Sequence, residues 1–190
     1  LEWRDGHLYG SLIDILNRAA PLVLVSLGMT MVIATRGIDI SVGAVVAIAA
    51  AVAAWMVGGA VSGTESRFPL PVAIAGAIGI ALLCGLWNGA LVAKVGMQPI
   101  IATLILMVAG RGIAQLITDG QIITIYYTPF FFLGGGYLLG LPFSLFVVAA
   151  VFAVLYLAVT RTALGLFVQA VGINPAAARV AGVQARRLVV

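Results

Sequence analysis

Five long apolar stretches dominate the chain, at about residues 17–35, 41–58, 70–93, 98–118 and 141–160. Each approaches the roughly 20 residues an α-helix needs to cross the ~30 Å hydrocarbon core of a bilayer. With 63% hydrophobic residues, 8% charged and a mean hydropathy of +1.21, the chain lies far from the roughly 45–50% apolar and about 25% charged residues of soluble domains. The expected fold is therefore all-α, a polytopic membrane bundle with about five spanning helices. The segment 120–140 is apolar too, but Pro129, the run Gly134-Gly135-Gly136 and the hydroxyl-rich "TIYYT" break it too often to span.

Lys and Arg in short loops set orientation, since the positive-inside bias largely ignores acids. A cytoplasmic tail places Arg36, Lys94, Arg161, Arg179, Arg186 and Arg187 inside and Arg4, Arg18 and Arg67 outside, six against three. Glu2, Asp5, Asp14, Glu65 and Asp119 then fall outside, with Asp39 alone among acids inside. Segment 120–140 and the loop around Glu65 are expected to face the periplasm. The net charge of +4 and pI near 9.7 report cytoplasmic loops rather than nucleic-acid binding. Residues 1–11 carry Glu2, Arg4, Asp5 and His7 and show no signal-peptide pattern. Together with the lack of an initial Met and the terminal "RRLVV", this leads to the expectation of a piece of a longer protein from which a preceding helix is lost.

In "ATRGIDISVGA" an Arg36 and an Asp39 interrupt the apolar sequence. A charge at the bilayer centre costs about 2.5–3.5 kcal/mol on the mildest scale, so the two are expected at a cytoplasmic turn, paired with each other. Ser41 is placed as N-cap of the following helix, with Asp39 near its positive dipole end. The functional alternative is a charged pair at a cytoplasmic gate or partner contact. Small residues recur at Gly43, Ala47, Ala50, Ala54 and Gly58 and at Ala77, Ala81, Gly85, Gly89 and Ala93, stripes suited to close helix approach. Trp55, Trp87 and Tyr156 are read as interface or packing residues.

Much chemistry is excluded. The lone lysine, Lys94 in "LVAKVGM", is not in a Walker A loop, so the chain is not the ATPase. One histidine, His7, and one cysteine, Cys84, leave no His- or Cys-based metal site and no disulfide. No pair of carboxylates lies within a span, which removes an evident proton or sodium relay. No enzymatic role is expected, and no cofactor or metal. The polar groups inside spans are Asn88, Gln98, Thr103, Arg111 and Gln115. Arg111 and Gln115, four apart, share a helix face, and with Asn88 and Thr103 they form a candidate permeation path. Alternatively Arg111 anchors the outer helix end between Gly110 and Gly112.

In the tail, "NPAAARVAG" sets Asn174 as N-cap, Pro175 as first helical residue and Gly182 as terminator of a helix of about seven residues. Isolated helices below about 12 residues are marginal, so a partner groove is expected to hold this one. Its small side chains around Arg179 suit such a groove, and Gly172 is expected to supply the turn that aims it through a positive φ.

The stretches "GIDISVGA", "GLWNGALVA", "QPIIATLILMVAGRGIAQLIT" and "TALGLFVQAVGINPAAARVAGV" resemble the permease subunits of ribose-type, monosaccharide-carrying ABC importers, over residues 12–190. The resemblance implies a permease of about ten helices, here the second to sixth, in the bacterial inner (plasma) membrane. It implies a second permease copy, an ABC ATPase subunit that binds ATP and Mg, and a periplasmic sugar-binding protein. The family's cytoplasmic coupling loop maps onto 161–187 with Ala170, Gly172, Asn174, Ala177 and Gly182; Pro175 and Arg179 lie within it. Segment "ITIYYTPFFFLGGG" is more aromatic than the family pattern. The rivals are an ion-coupled secondary transporter, which needs an intramembrane acid and an inverted repeat, and a scaffold protein with no path.

Overall fold

The computed structural model describes residues 2–4, 7–58 and 66–183. Asp5, Glu65, Arg186 and Arg187, counted above for orientation, lie outside the described residues, as does the tail beyond 183. A short antiparallel hairpin, β1 (Glu2–Arg4) with β2 (His7–Tyr9), precedes helix α1 (Ser11–Ala34). Helices α2 (Val42–Val57), α3 (Leu70–Ala90) and α4 (Pro99–Ile117) follow, α3 running on through a π-helical turn at Leu91–Val95. A loop leads to the short α5 (Thr128–Gly135), a two-residue hairpin of β3 (Tyr137–Leu138) and β4 (Leu141–Pro142), and α6 (Phe143–Arg161). Helices α7 (Ala163–Ile173) and α8 (Pro175–Val180) complete the described chain.

Among the described residues, four helices are long and apolar enough to cross a membrane: α1, Leu70–Val95, α4 and α6. The stretch expected at 41–58 yields a helix of 16 residues, about 24 Å at 1.5 Å per residue, short of the bilayer core. Residues 37–41 carry no regular secondary structure, in the place where the turn between the first two spans is expected. Non-helical backbone is tolerated at membrane depth only where protein or a cavity satisfies it, and the partners of this segment are given below.

The helices form two packed sets. Helix α2 lies against both α3 and α4, while α1 packs on α6 and α7, and α8 on α7. In the first set approach is close. A β-carbon on Gly110 would stand 2.9 Å from the Ala44 β-carbon and 3.2 Å from Ile48 Cδ1. The buried face of α2 is Ala44, Ile48, Ala51, Ala53 and Val57. The stripe expected at Gly43, Ala47, Ala50, Ala54 and Gly58 is displaced from it: Gly43 and Ala50 are exposed, and Ala47, Ala50 and Ala54 border a shallow groove with α4. The packing face follows the larger Ile48, whose side chain lies against Gly110 of α4. On α3 the expected stripe is buried only at Gly89 and Ala93, and Gly85 is exposed.

Trp55, Trp87 and Tyr156 are all substantially exposed. The Arg67 guanidinium lies 5.2 Å from the Trp55 ring centre, and Phe68 lies 6.2 Å from it. At the opposite end of the bundle the end of α1, the start of α2, the end of α3, the start of α4 and the pair α7–α8 come together.

Candidate functional site

Helix α1 ends in a Schellman motif: Gly37 N–H donates to Val32 O at 2.9 Å and Arg36 N–H to Ile33 O at 2.9 Å. That motif puts its penultimate residue in the left-handed region, which glycine usually fills. Here the position is held by Arg36, with φ 63°, at a cost of about 1–2 kcal/mol for a residue with a β-carbon. The side chain offsets it. Arg36 Nε donates to Gly172 O and Nη2 to Ile173 O, both at 2.6 Å. These are the last carbonyls of α7, which have no partner within their own helix, at the negative end of its dipole. The expected ion pair with Asp39 is thus corrected: no bond forms between them, because the left-handed turn carries the guanidinium to α7.

Asp39 Oδ1 accepts from Ser41 N–H at 2.7 Å and from the Ser41 hydroxyl at 2.6 Å. Ser41 occupies the N-cap position of α2, but its backbone is already helical and its side chain makes no capping bond; the hydroxyl is committed to Asp39. Since an ionised carboxylate only accepts, Ser41 Oγ must donate to it and accept from elsewhere. It accepts from Asn88 Nδ2 at 2.9 Å. That fixes the amide orientation and leaves Asn88 Oδ1 buried without a donor among the described residues. Thr103 Oγ1 accepts from Ile40 N–H at 3.3 Å and donates to Pro99 O at 2.9 Å. The segment 37–41 is therefore pinned by α3 on one side and α4 on the other, and Ser41, Asn88 and Thr103 are the buried polar residues of the described core.

Asp39, Asn88, Thr103 and Thr35 line a cavity of about 330 Å³ that is open on one side, with apolar groups such as Met31, Val92 and Val168 on its walls. It lies between the two packed sets, with α1 and α7 on one wall and α3 and α4 on the other. Arg111 and Gln115 are not part of it. They are exposed, eight and twelve residues beyond Thr103, or about 12 and 18 Å of helix rise. Gln115 borders the separate groove with Ala47 and Thr118. The four polar residues expected along one path are thus brought together as a pair, Asn88 with Thr103, and two outliers. Gln98 sits at the N-cap of α4 without a side-chain cap bond.

In the tail, Asn174 closes α7 and opens α8. Its Oδ1 accepts from Ala176 N–H at 3.0 Å and Ala177 N–H at 3.1 Å, and its own N–H donates to Ala170 O at 3.1 Å. Pro175 starts a helix of six residues. A second Schellman motif ends it: Val183 N–H donates to Ala178 O at 2.9 Å and Gly182 N–H to Arg179 O at 3.1 Å, with Gly182 at φ +85°. Ala178 is buried on the α7 side, whereas Ala177 and Arg179 are exposed, Val180 is 91% exposed and Ile173 76%. Gly172 corrects its expectation. It is helical, not at positive φ; a β-carbon there would overlap the Ala34 carbonyl oxygen, so it permits contact between α7 and the end of α1.

The partner of Arg36 was missed from sequence because it lies 136 residues away. The local signal was the order Arg-Gly after a helix, with the bulky residue where glycine is normally found.

Comparisons with known proteins give the family. A protein-family model described as "branched-chain amino acid transport system / permease component" matches residues 11–190. The chain is 52% identical, over 98% of its length and 52% of the relative's, to the galactofuranose transporter permease protein YtfT of Escherichia coli (strain K12). It is 38% identical to the fructose import permease protein FruF of Bifidobacterium longum (strain NCC 2705), over 99% of the chain and 52% of the relative. It is 34% identical to the ribose import permease protein RbsC of Haemophilus influenzae (strain ATCC 51907 / DSM 11121 / KW20 / Rd), over 94% and 54%. The chain spans about half the length of these relatives. No solved structure was found to match it. With the family model covering all but its first ten residues, the chain belongs to the branched-chain amino acid transport system / permease component family of membrane proteins.

Proposed function

We propose that the chain is part of the permease subunit of an ATP-binding-cassette importer that moves a monosaccharide across the bacterial inner membrane, as a multi-pass protein. The observation that carries this reading is the set of relatives named as galactofuranose, fructose and ribose permeases, at 34–52% identity over nearly the whole chain. Hydrolysis of ATP with Mg belongs to a separate ATPase subunit, a periplasmic sugar-binding protein delivers substrate, and a second permease copy completes the membrane part. The end bearing α7 and α8 faces the cytoplasm. There α8 docks on the ATPase through the face that carries Ala177 and Val180, left exposed when Ala178 turns to α7. Asn88 and Thr103, beside the cavity, belong to the path.

The test is uptake of galactofuranose, ribose and fructose by vesicles holding the full-length permease, its ATPase and its binding protein. ATP-dependent uptake indifferent to a proton gradient is expected. Uptake driven by the gradient without ATP overturns the reading in favour of an ion-coupled carrier. Ala177→Trp is expected to abolish co-purification of the ATPase while the membrane helices remain folded. A variant that keeps its ATPase and transports normally removes α8 from the coupling role.

A further inference from the structure

We propose that Arg36 is the positioning residue that ties α8 to the cavity, so that the attitude of α8 is passed through the α1–α2 joint to the groups lining the cavity; this rests on the functional reading above. Four observations converge on it. Arg36 occupies a left-handed backbone position that glycine would fill without penalty, so the side chain is kept for what it does. It binds two successive carbonyls, Gly172 O and Ile173 O, at 2.6 Å, a forked geometry natural to guanidinium and not to an ammonium. The contact is seated, because Gly172 lies where any β-carbon would strike the Ala34 carbonyl. Asn174, the residue after Ile173, caps both α7 and α8, which leaves no slack between the clasp and α8.

On the other side of Arg36 the chain is equally taut. Three residues on, Asp39 holds Ser41, Ser41 holds Asn88, and Ile40 is bonded to Thr103. Asp39, Asn88 and Thr103 line the cavity. The path from α8 to the cavity wall thus runs through hydrogen bonds of 2.6–3.3 Å and through two backbone residues between Arg36 and Asp39, of which Gly37 is bonded to Val32 O. A displacement of α8 must move the 37–41 segment or break the two bonds of Arg36. A residue that served only to cap α7 would stabilise the fold without linking the two events.

The decisive experiment uses the full-length permease with its ATPase in nanodiscs, comparing wild type with Arg36→Gly and Arg36→Lys. Because Val180 lies on the face assigned to docking, a spin label at Val180→Cys, in a background freed of other cysteines, is read in the full-length permease before the ATPase is added, and hydrolysis and uptake are read on the unlabelled complex. Arg36→Gly keeps the α1 turn in its favoured geometry and removes the clasp. It is expected to free the label at 180, to leave ATP hydrolysis close to wild type and to cut uptake of ribose, fructose and galactofuranose by about tenfold or more, a coupling loss of ordinary size. Arg36→Lys, which retains charge but not the fork, is expected between the two. Unchanged label mobility in Arg36→Gly overturns the proposal. So does a fall of uptake and hydrolysis in equal proportion, the behaviour of a residue that only stabilises. Should Arg36→Gly fail to assemble, Arg36→Lys decides by the same two readouts. A wild-type complex that takes up none of the three sugars refutes the functional reading alone, and the label at 180 then decides whether Arg36 holds α8.

Discussion

The set α2–α3–α4 and the set α1–α6–α7 are built from equally apolar sequence, yet they pack differently. In the most apolar 18-residue window of α4, 22% of residues are buried, against none in that of α6 and 6% in that of α1. Small residues make the difference: Ala44 meets Gly110, and Ala73 and Ala102 are fully buried. In a bilayer apolar surface gains nothing by leaving lipid for protein, so association depends on close packing and on polar bonds between helices. The first set has both, with Ser41, Asn88 and Thr103 buried among the alanines. In the second, α1 buries Ala20 alone and α6 buries nothing, one bond, from the Ser144 hydroxyl to Asn17 Oδ1 at 2.5 Å, joins those two, and burial and polar contact gather at α7, which buries Gly165, Val168 and Val171 and receives the two bonds of Arg36. Hydropathy alone therefore identifies helices fit for a membrane, and residue size decides which of them form a fixed core.

The sharpest way to break the comparison is Gly110→Leu. The β-carbon alone already crowds Ala44 and Ile48, and three further carbons leave α2 and α4 no shared contact. Overpacking costs about 1–3 kcal/mol, and with the short Ala44 β-carbon, which cannot turn aside, already at 2.9 Å the upper end is expected, read as a lowered midpoint in denaturation from detergent micelles. Asp39→Ala comes next. It strips two acceptor bonds from Ser41 and frees the segment that separates the two sets, at about 2 kcal/mol for a buried amide and hydroxyl left unpaired. Asp39→Asn retains one acceptor oxygen, so folding yield should fall in the order Asp, Asn, Ala. Equal yields with transport abolished would transfer Asp39 from a structural role to a gate.

These outcomes bear on how much was legible beforehand. Apolar run length marks helices well, because it reports a property of each segment by itself. It placed the start of α2 at 41, one residue from Val42, because Arg36 and Asp39 mark the turn before it; the bonds to Asp39 and Thr103 that anchor that turn were not legible. The caps of α8 were legible because Asn174 and Gly182 act on residues two to five positions away. Arg36 was legible as a boundary and illegible as a clasp, for its partners belong to α7. The polar residues of α4 share a helix, but facing is set by α2, which covers Thr103 and leaves Arg111 out.

Asn174→Ala tests whether α8 behaves as an appendage of the looser set. The side chain satisfies two amides of α8, and losing such a cap costs about 1 kcal/mol. Since α8 touches the bundle through α7, the loss should stay local. Faster hydrogen exchange at 176–181 is expected, with the denaturation midpoint of the bundle unchanged; a lowered midpoint would show that α8 is integral to the core.

The smallest effect should come from a truncation made once in each set. Val154 on α6 is 66% exposed and Val57 on α2 is 2% exposed, so Val154→Ala and Val57→Ala remove the same two methyl groups from opposite environments. At Val57 the lost carbons leave a void among packed neighbours, and roughly 1–2 kcal/mol is expected from the cavity left behind. At Val154 lipid closes over the site, no cavity forms, and the change should stay within about 0.5 kcal/mol, as for substitutions away from any packed feature. The comparison is made on one protein, by one denaturation series. A cost at Val154 equal to that at Val57 would mean that the α6 face is packed against protein in the membrane, and the contrast between the two sets would then belong to this half of the molecule alone.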